Sequence, residues 1–501
     1  MIDFVPFQNC DATMNDYLVG HDYLAGRRDW LKRAATVVAS SLLATRSGFT
    51  LAADSPAERD AVLLTADPSL TLFRVRVEMD VEGNVNVPRN ALVSKEAAAK
   101  YPVRSKSVLD WEERILGFAS DKTVAAAERH YHEASSDSLS GKVTRHVELR
   151  TASHYLSVRR DDAKWVLYSP DTYLSSTELE LLEVPANSLA VDGLLPTVAV
   201  RQGDTYKPAK EILEKLLALA SVNDSDVIGE INALDDSSAK IHFTGKVQGS
   251  VAGVPTVLDL VGKMVFDRDL MTCNWLALAI REQREIGKSE PGFDVAATIK
   301  MIRKPLEAPQ RLSSIPPASP AGPDFGGQVP ADRLYCELSS TSVGFTALQD
   351  RRWKMMVDGA GASMMRMIEN DRGIAQCDIR PAGAMAAGTQ LTMPAFISDV
   401  KQSLGSRFGQ LLESREELNE FGLRVMRVSA QGLVEGVPVQ WVFLHFSNDS
   451  GRRLLATMTV GGSELDSFAG ADVQLGASMR FIPTDDESTD VASAKAKPAI
   501  K

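Results

Sequence analysis

Thr71-Leu-Phe-Arg-Val-Arg-Val-Glu-Met-Asp-Val-Glu-Gly-Asn-Val-Asn-Val87 alternates apolar with charged or polar residues at a period of two. Phe73, Val75, Val77, Met79 and Val81 share one face, and Arg74, Arg76, Glu78, Asp80 and Glu82 share the other. Successive side chains of a strand point to opposite sides, so the pattern predicts a β-strand buried on one face only. Glu82-Gly83-Asn84 reads as a turn that ends it, with the chain resuming at Val85 and Val87.

The same period recurs downstream. Residues 123–133, 142–150, 154–160 and 164–168 read as a meander, with a tight turn at Asp161-Asp162. Asp110-Trp111 opens a stretch that fits helix and strand equally. Ser175-Ser-Thr-Glu178 has the spacing of a capping box and starts a short helix carrying Leu179, Leu181 and Leu182. Pro208 suits the first position of a second helix bearing Ile212, Leu213, Leu216 and Leu217. Ile241, Phe243 and Val247 then alternate with His242, Thr244, Lys246 and Gln248, and strands follow over 257–267, 272–281 and 293–303. Strands this long must twist, which predicts a curved antiparallel sheet over residues 54–304. Its stretches 71–170 and 200–302 are candidates for two sub-halves on one plan. Residues 305–330 are rich in Pro among Ser, Ala and Gly, and read as a linker.

Beyond the linker, residues 331–482 carry strand text at Leu334-Tyr-Cys-Glu-Leu338, from Trp353, and over 364–368 and 374–379. Phe396, Ile397, Val400, Leu404, Phe408, Leu411 and Leu412 trace the face of one long helix starting near Pro394. Strands over 422–430, 437–446 and 454–460, a helix over 464–475 and a strand over 477–482 complete the order. With the Gly432-to-Trp441 hairpin and the Gly451-Arg452 turn, this order resembles the fold shared by Mog1, PsbP and DcrB-type envelope proteins. That resemblance implies an α/β sandwich with a binding or assembly role, and it transfers no site residue. The fold class expected for the chain is therefore α+β. The tail, residues 483–501, has the small, charged composition of disordered chain.

At the other end, Gly26-Arg27-Arg28-Asp29-Trp30-Leu31-Lys32 precedes a short apolar run over 34–44, and Thr50-Leu51-Ala52-Ala53 supplies a small-residue cleavage site. Arg27, Arg28, Trp30, Leu31 and Lys32 resemble the motif of a twin-arginine export signal spanning residues 1–53. The run is too short to cross a bilayer, which needs roughly twenty apolar residues. The acidic residues ahead of the arginines leave either an unusually long leader or a start at Met14. The resemblance implies a periplasmic or secreted protein with no stable membrane span once the signal is cut.

Composition bounds the partners. The chain has 501 residues, a formal net charge of −11, and 44% hydrophobic and 24% charged residues, enough for two or three cores. Net acidity, with no run of Lys/Arg interleaved with aromatics, argues against nucleic acid. Cys10 lies ahead of the signal; Cys273, Cys336 and Cys377 remain. Buried free thiols are the expected state, with a Cys336–Cys377 disulfide as the alternative.

Candidate chemistry is sparse. His130 and His132, two apart, would project from one strand face, and His146 or His154 could join them from a neighbour. Imidazoles with Glu133 or Glu148 would suit zinc or copper; the competing reading is histidine on a wetted strand. Met355, Met356, Met364, Met365, Met367, Met385 and Met393 could hold Cu(I), but methionine more often fills irregular core space. Asp110, Glu112 and Glu113 read as a charged, solvated face. No Gly-x-Ser-x-Gly elbow occurs, neither Gly359-Ala-Gly361 nor Gly461-Gly462 is followed by the Gly-Lys-Ser/Thr of a phosphate loop, and no cofactor is expected. The reading is a non-enzymatic binding or assembly module for a protein partner in the cell envelope. A carrier of a hydrophobic ligand on the concave sheet face, or a metal-binding accessory protein, is the alternative.

If the signal is cut, N-terminal sequencing of protein recovered from the periplasm or medium yields a chain starting near Asp54. An intact N-terminus on protein found solely in the cytoplasm refutes this.

Overall fold

The computed structural model describes residues 61–88, 98–161, 164–287, 290–314, 329–359 and 361–483. The signal motif Arg27, Arg28, Trp30, Leu31 and Lys32, the cleavage site Ala52 and Ala53, most of the tail and the middle of the Pro-rich stretch lie outside them. The described residues fall into two compact units, 61–334 and 335–483.

The first unit is one antiparallel sheet. In chain order its strands are β1 (Leu72–Pro88), β2 (Ala98–Phe118), β3 (Val124–Ser140), β4 (Val143–Glu148), β5 (Tyr155–Asp161) and β6 (Lys164–Tyr168). Then come β7 (Thr205–Tyr206), β8 (Ser221–Ser225), β9 (Ile228–Leu234), β10 (Ser238–Val251), β11 (Val254–Asp267), β12 (Thr272–Arg284) and β13 (Gly292–Pro305). The spatial order is β6-β5-β3-β2-β1-β13-β12-β11-β10-β9-β7, with β4 on β3 and β8 on β10. The first strand pairs with the last, so the stretches 71–170 and 200–302 meet at β1–β13 and build a single sheet.

Register explains the core. One row runs Ala134, Leu109, Val77, Met301, Leu276, Met264, Ile241, Ile231 across eight adjacent strands. Every member is at most 2% exposed. The other face of the sheet is charged, with cross-strand pairs such as Lys106–Asp80 and Lys246–Asp259. Such exposed pairs contribute little each, about 0–1 kcal/mol. The alternation of Thr71–Val87 thus reads correctly, but its expected turn does not form. The strand runs straight through Gly83, where a Cβ would come within 2.2 Å of the Asp294 carbonyl oxygen. Glycine is needed there because β13 approaches too closely for a side chain.

Between β6 and β8 the chain supplies the cover for the apolar face. Helix α1 (Ser176–Leu182) starts with the expected capping box between Ser175 and Glu178. A 3-10 turn (Val191–Leu194) and helix α2 (Lys210–Leu216) follow. Pro208 precedes that helix by two residues, and Ala209 is its N-cap. Leu189, Val191, Leu194, Leu213 and Leu216 are all buried.

The second unit holds a seven-stranded and a three-stranded antiparallel sheet. The larger has the order β16 (Trp353–Gly359), β17 (Ala362–Glu369), β18 (Arg372–Pro381), β22 (Arg453–Gly461), β21 (Val437–Ser447), β20 (Arg424–Val434), β19 (Phe408–Leu418). The smaller joins β14 (Tyr335–Ser340), β15 (Phe345–Asp350) and β23 (Arg480–Phe481). The expected α+β class with a C-terminal α/β sandwich is corrected here: the chain is mostly β, its sheets large and antiparallel, and its helices short. The long helix read from Pro394 to Leu412 breaks in two. Helix α3 (Met393–Leu404) stops at Gly405, whose φ of 53° leaves the right-handed region, and Phe408–Leu418 is strand β19. Phe396, Val400 and Leu404 still bury against Met426, Val428, Trp441 and Phe443, and Phe408 and Leu411 join that cluster from the strand. The helix expected over 464–475 likewise splits, into α4 (Leu465–Phe468) and α5 (Ala471–Ser478) around Gly470.

Replacing Leu276, at the centre of the buried row, by Ala is expected to cost about 2–5 kcal/mol. Lys300→Ala, on the charged face of β13, should stay within about 0.5 kcal/mol of wild type. Urea unfolding of the two variants checks both values.

Candidate functional site

Polar side chains concentrate on β2, at Trp111-Glu112-Glu113-Arg114. The expectation of a solvated carboxylate face is overturned: Glu112 and Glu113 are 0% exposed and Arg114 6%. Alternation puts Glu113 on the covered face and Glu112 and Arg114 on the opposite one. Each side has its own partners.

On the covered face, Arg129 Nε donates to Glu113 Oε2 at 2.8 Å. Ser188 Oγ donates to the same oxygen at 2.8 Å, and Arg129 Nη2 reaches Asn187 Oδ1 and Ser188 Oγ at 3.2 Å each. The guanidinium also lies 5.0 Å from the centre of the Trp111 ring. Burial is the largest influence on the Arg129 pKa and pulls it down, but Glu113 and Tyr131 together outweigh it, and the guanidinium's pKa is raised. A second anchor holds the same strap: Arg303, stacked 3.7 Å from the Phe73 ring centre, donates to Asp192 Oδ2 at 2.6 Å. The segment Asn187–Asp192 is therefore tied to the sheet through charge at both ends.

On the opposite face, Glu112 Oε2 accepts three successive backbone N–H groups, from Gln310, Arg311 and Leu312, at 2.9, 3.0 and 3.2 Å. His132 Nε2 lies 2.8 Å from Glu112 Oε1. Arg114 bonds Glu128 Oε1 and the Ser313 carbonyl, both at 2.6 Å, and Tyr155 donates to Glu128 Oε2 at 2.8 Å. The first part of the Pro-rich stretch is thereby fixed. Burial raises the Glu112 pKa, yet the backbone donors and His132 together hold it below the ordinary carboxylate value.

Of the four candidate histidines, three meet. The His130 ring centre lies 5.6 Å from that of His132 and 6.0 Å from that of His154. His146 does not join them; it is exposed and bonds Asp137 at 2.8 Å. Burial, then the neighbouring His132 and His154, lowers the His130 pKa and favours its neutral form. Among the described residues, no group of three or more His, Cys, Asp or Glu side chains is arranged to hold a metal ion. Instead of Glu133 or Glu148, the carboxylate beside the cluster is Glu112. Glu133 pairs with Arg76 at 3.3 Å.

In the second unit Met365, Cys377 and Met458 are cross-strand neighbours on β17, β18 and β22, each 0% exposed. Cys273, Cys336 and Cys377 are free and buried, and burial raises all three thiol pKa values, which disfavours the reactive thiolate.

A feature that periodicity missed is the outer edge of the seven-stranded sheet. Among the described residues, strand β19 has a sheet neighbour, β20, on one side only. Leu412 and Leu418 on it, Phe421 in the turn after it, and Leu433 and Val437 at the adjoining hairpin tip are all exposed. Reading 408–412 as helix concealed this edge.

No protein-family model matches the chain, and no curated protein matches it. Similar solved structures include a crystal structure from Bacteroides thetaiotaomicron VPI-5482, 13% identical with a TM-score of 0.22, covering 30% of this chain and 49% of that one. This chain thus spans about half the length of that structure. Cyanobacterial PsbP (CyanoP) from Synechocystis sp. PCC 6803 is 16% identical with a TM-score of 0.24, covering 31% of this chain and 96% of that one. Protein PA94 of unknown function from Pseudomonas aeruginosa is 12% identical with a TM-score of 0.19, covering 30% and 99%. A PsbP structure is therefore among the neighbours, as the element order of 331–482 suggested. Likenesses this distant say nothing of function. Among the described residues, no helix is long and apolar enough to cross a membrane.

Glu112→Gln keeps the shape and removes the charge, so it should cost about 1.5–3 kcal/mol at neutral pH. Because the folded-state pKa of Glu112 is depressed, its contribution is present above the ordinary carboxylate value and lost as pH falls through the folded one. Urea unfolding across pH 7 to 3 should therefore show a shallower acid decline for the variant than for wild type. Parallel curves would refute the role.

Proposed function

We propose that this protein is a non-catalytic binding or assembly module that engages a protein partner in the cell envelope. The observation that carries the reading is the set of exposed apolar side chains spread along one sheet edge, from Leu433 and Val437 at the β20–β21 hairpin tip, past Leu412, to Leu418 and Phe421 at the far end of β19. Single exposed apolar residues are ordinary, but several on neighbouring segments suit a protein contact. The polar groups of β2 favour the same reading, since their hydrogen bonds hold the protein's own straps. Export through the twin-arginine motif, and a periplasmic or secreted location, belong to this proposal.

The alternatives have less support. A hydrophobic ligand on the apolar face of the first sheet would have to displace the 187–196 strap and α2, whose leucines already bury that face. A metal accessory role would need the His130, His132 and His154 rings to converge on one ion.

Co-purification from envelope extracts, with the full chain and with a Leu433→Asp, Val437→Asp double variant, tests the proposal. A partner recovered reproducibly with wild type and lost at least tenfold with the variant is expected. Equal recovery with both, or no reproducible partner, counts against it.

A further inference from the structure

The exposed edge also carries information about what would bind there. Strand β19 is the outermost of seven, so every second residue turns a backbone N–H and C=O away from β20. Its pairing with β20 is interrupted between Phe408 and Gln410 and again between Leu411 and Glu413, but runs unbroken from Glu413 to Leu418. Among the described residues no further strand pairs with the other side of this six-residue stretch, which matches the usual length of a strand.

That stretch is acidic. Glu413, Glu416 and Glu417 lie on it and Glu420 just beyond, against one cation, Arg415, which pairs with Glu417 at 3.7 Å. Arg427 and Arg424 on β20 bond Glu413 and Glu416 at 2.6 and 2.7 Å, but those arginines are only 11 and 12% exposed, while the carboxylates are 53 and 43% exposed. Positive charge is thus turned inward and negative charge outward. Charged side chains and bulges are how natural sheets keep neutral strands from adding to an edge. An edge on which glutamates outnumber the one arginine disfavours acidic strands and favours a basic one.

We propose that residues Glu413–Leu418 are a strand-addition site that takes an extended, lysine- or arginine-bearing segment of a partner protein as an eighth strand of this sheet. Main-chain hydrogen bonds would give affinity whatever the sequence, and alternate basic side chains facing the glutamates would give selectivity. Leu418 and Phe421, at the end of the stretch, would meet apolar residues of the incoming segment. This inference rests on the protein-binding reading above and names the kind of contact it uses.

The test uses the full chain and an eight-residue peptide of alternating lysine and valine, blocked at both ends. Hydrogen exchange should slow at amides within 413–418 when the peptide is added. Glu416→Gln with Glu417→Gln should weaken binding at least tenfold, as should raising salt from 50 to 500 mM. A glutamate–valine peptide, or the lysine–valine peptide with a central proline, should leave those amides unchanged. Equal protection by the glutamate–valine peptide overturns the proposal, as does peptide binding that protects only other strands, or none at millimolar concentration. A concentration-dependent dimer that protects 413–418 without peptide also overturns it, since the occupant is then a second copy. If the envelope partner is captured through Leu433 and Val437 while the peptide leaves β19 unprotected, strand addition fails and the broader reading stands.

Discussion

Ionised side chains leave water only at a cost, and they stay buried only when paired and hydrogen-bonded. Strand β2 meets that condition twice, once on each face of the sheet. Glu113 Oε2 accepts from Arg129 and Ser188, which holds the 187–192 strap on the apolar face. Glu112 is satisfied by the N–H groups of 310–312, so the start of the Pro-rich stretch must cross the other face. Without its strap Glu113 would keep Arg129 but lose Ser188, and Glu112 would keep His132 but lose three backbone donors. The charge on β2 therefore fixes where two otherwise irregular segments run.

Those segments matter because the sheet alone leaves its apolar face bare. A row such as Leu109, Val77, Met301, Leu276 and Met264 excludes water only under cover. The cover is short helices and a 3-10 turn, too small to be stable by themselves. Anchoring the strap through Glu113 and, at Asp192, through Arg303 supplies what helix propensity does not. The second unit covers part of its larger sheet with α3, through Phe396 and Val400.

The candidate sites divide along the same line. Histidines, thiols and methionines that invited chemistry sit where packing and hydrogen bonds already employ them. His132 bonds Glu112, and Met365 and Met458 flank Cys377 inside the sheet. The edge strand β19 differs: its backbone and its glutamates face outward. Recognition is the role its geometry suits.

The sequence by itself determined most of the long strands of the first sheet and which of their side chains share a face. A period of two is a local property, written in residues such as Phe73, Val75 and Val77. It likewise determined the capping box at Ser175 and Glu178, and it brought His130 and His132 onto one face. What covers each face was decided only by the tertiary structure. Glu112 stands where alternation expects water, and it is buried because residues nearly two hundred positions later fold across it. His146 parts from the other histidines because β4 pairs with the far end of β3, opposite Asp137. The helix read through Leu412 stops at Gly405, and Phe408 and Leu411 beyond it pack on the same cluster from a strand lying against β20, while Leu412 stays exposed. Periodicity records how a segment presents its side chains; which segment lies against it depends on contacts that no local window contains.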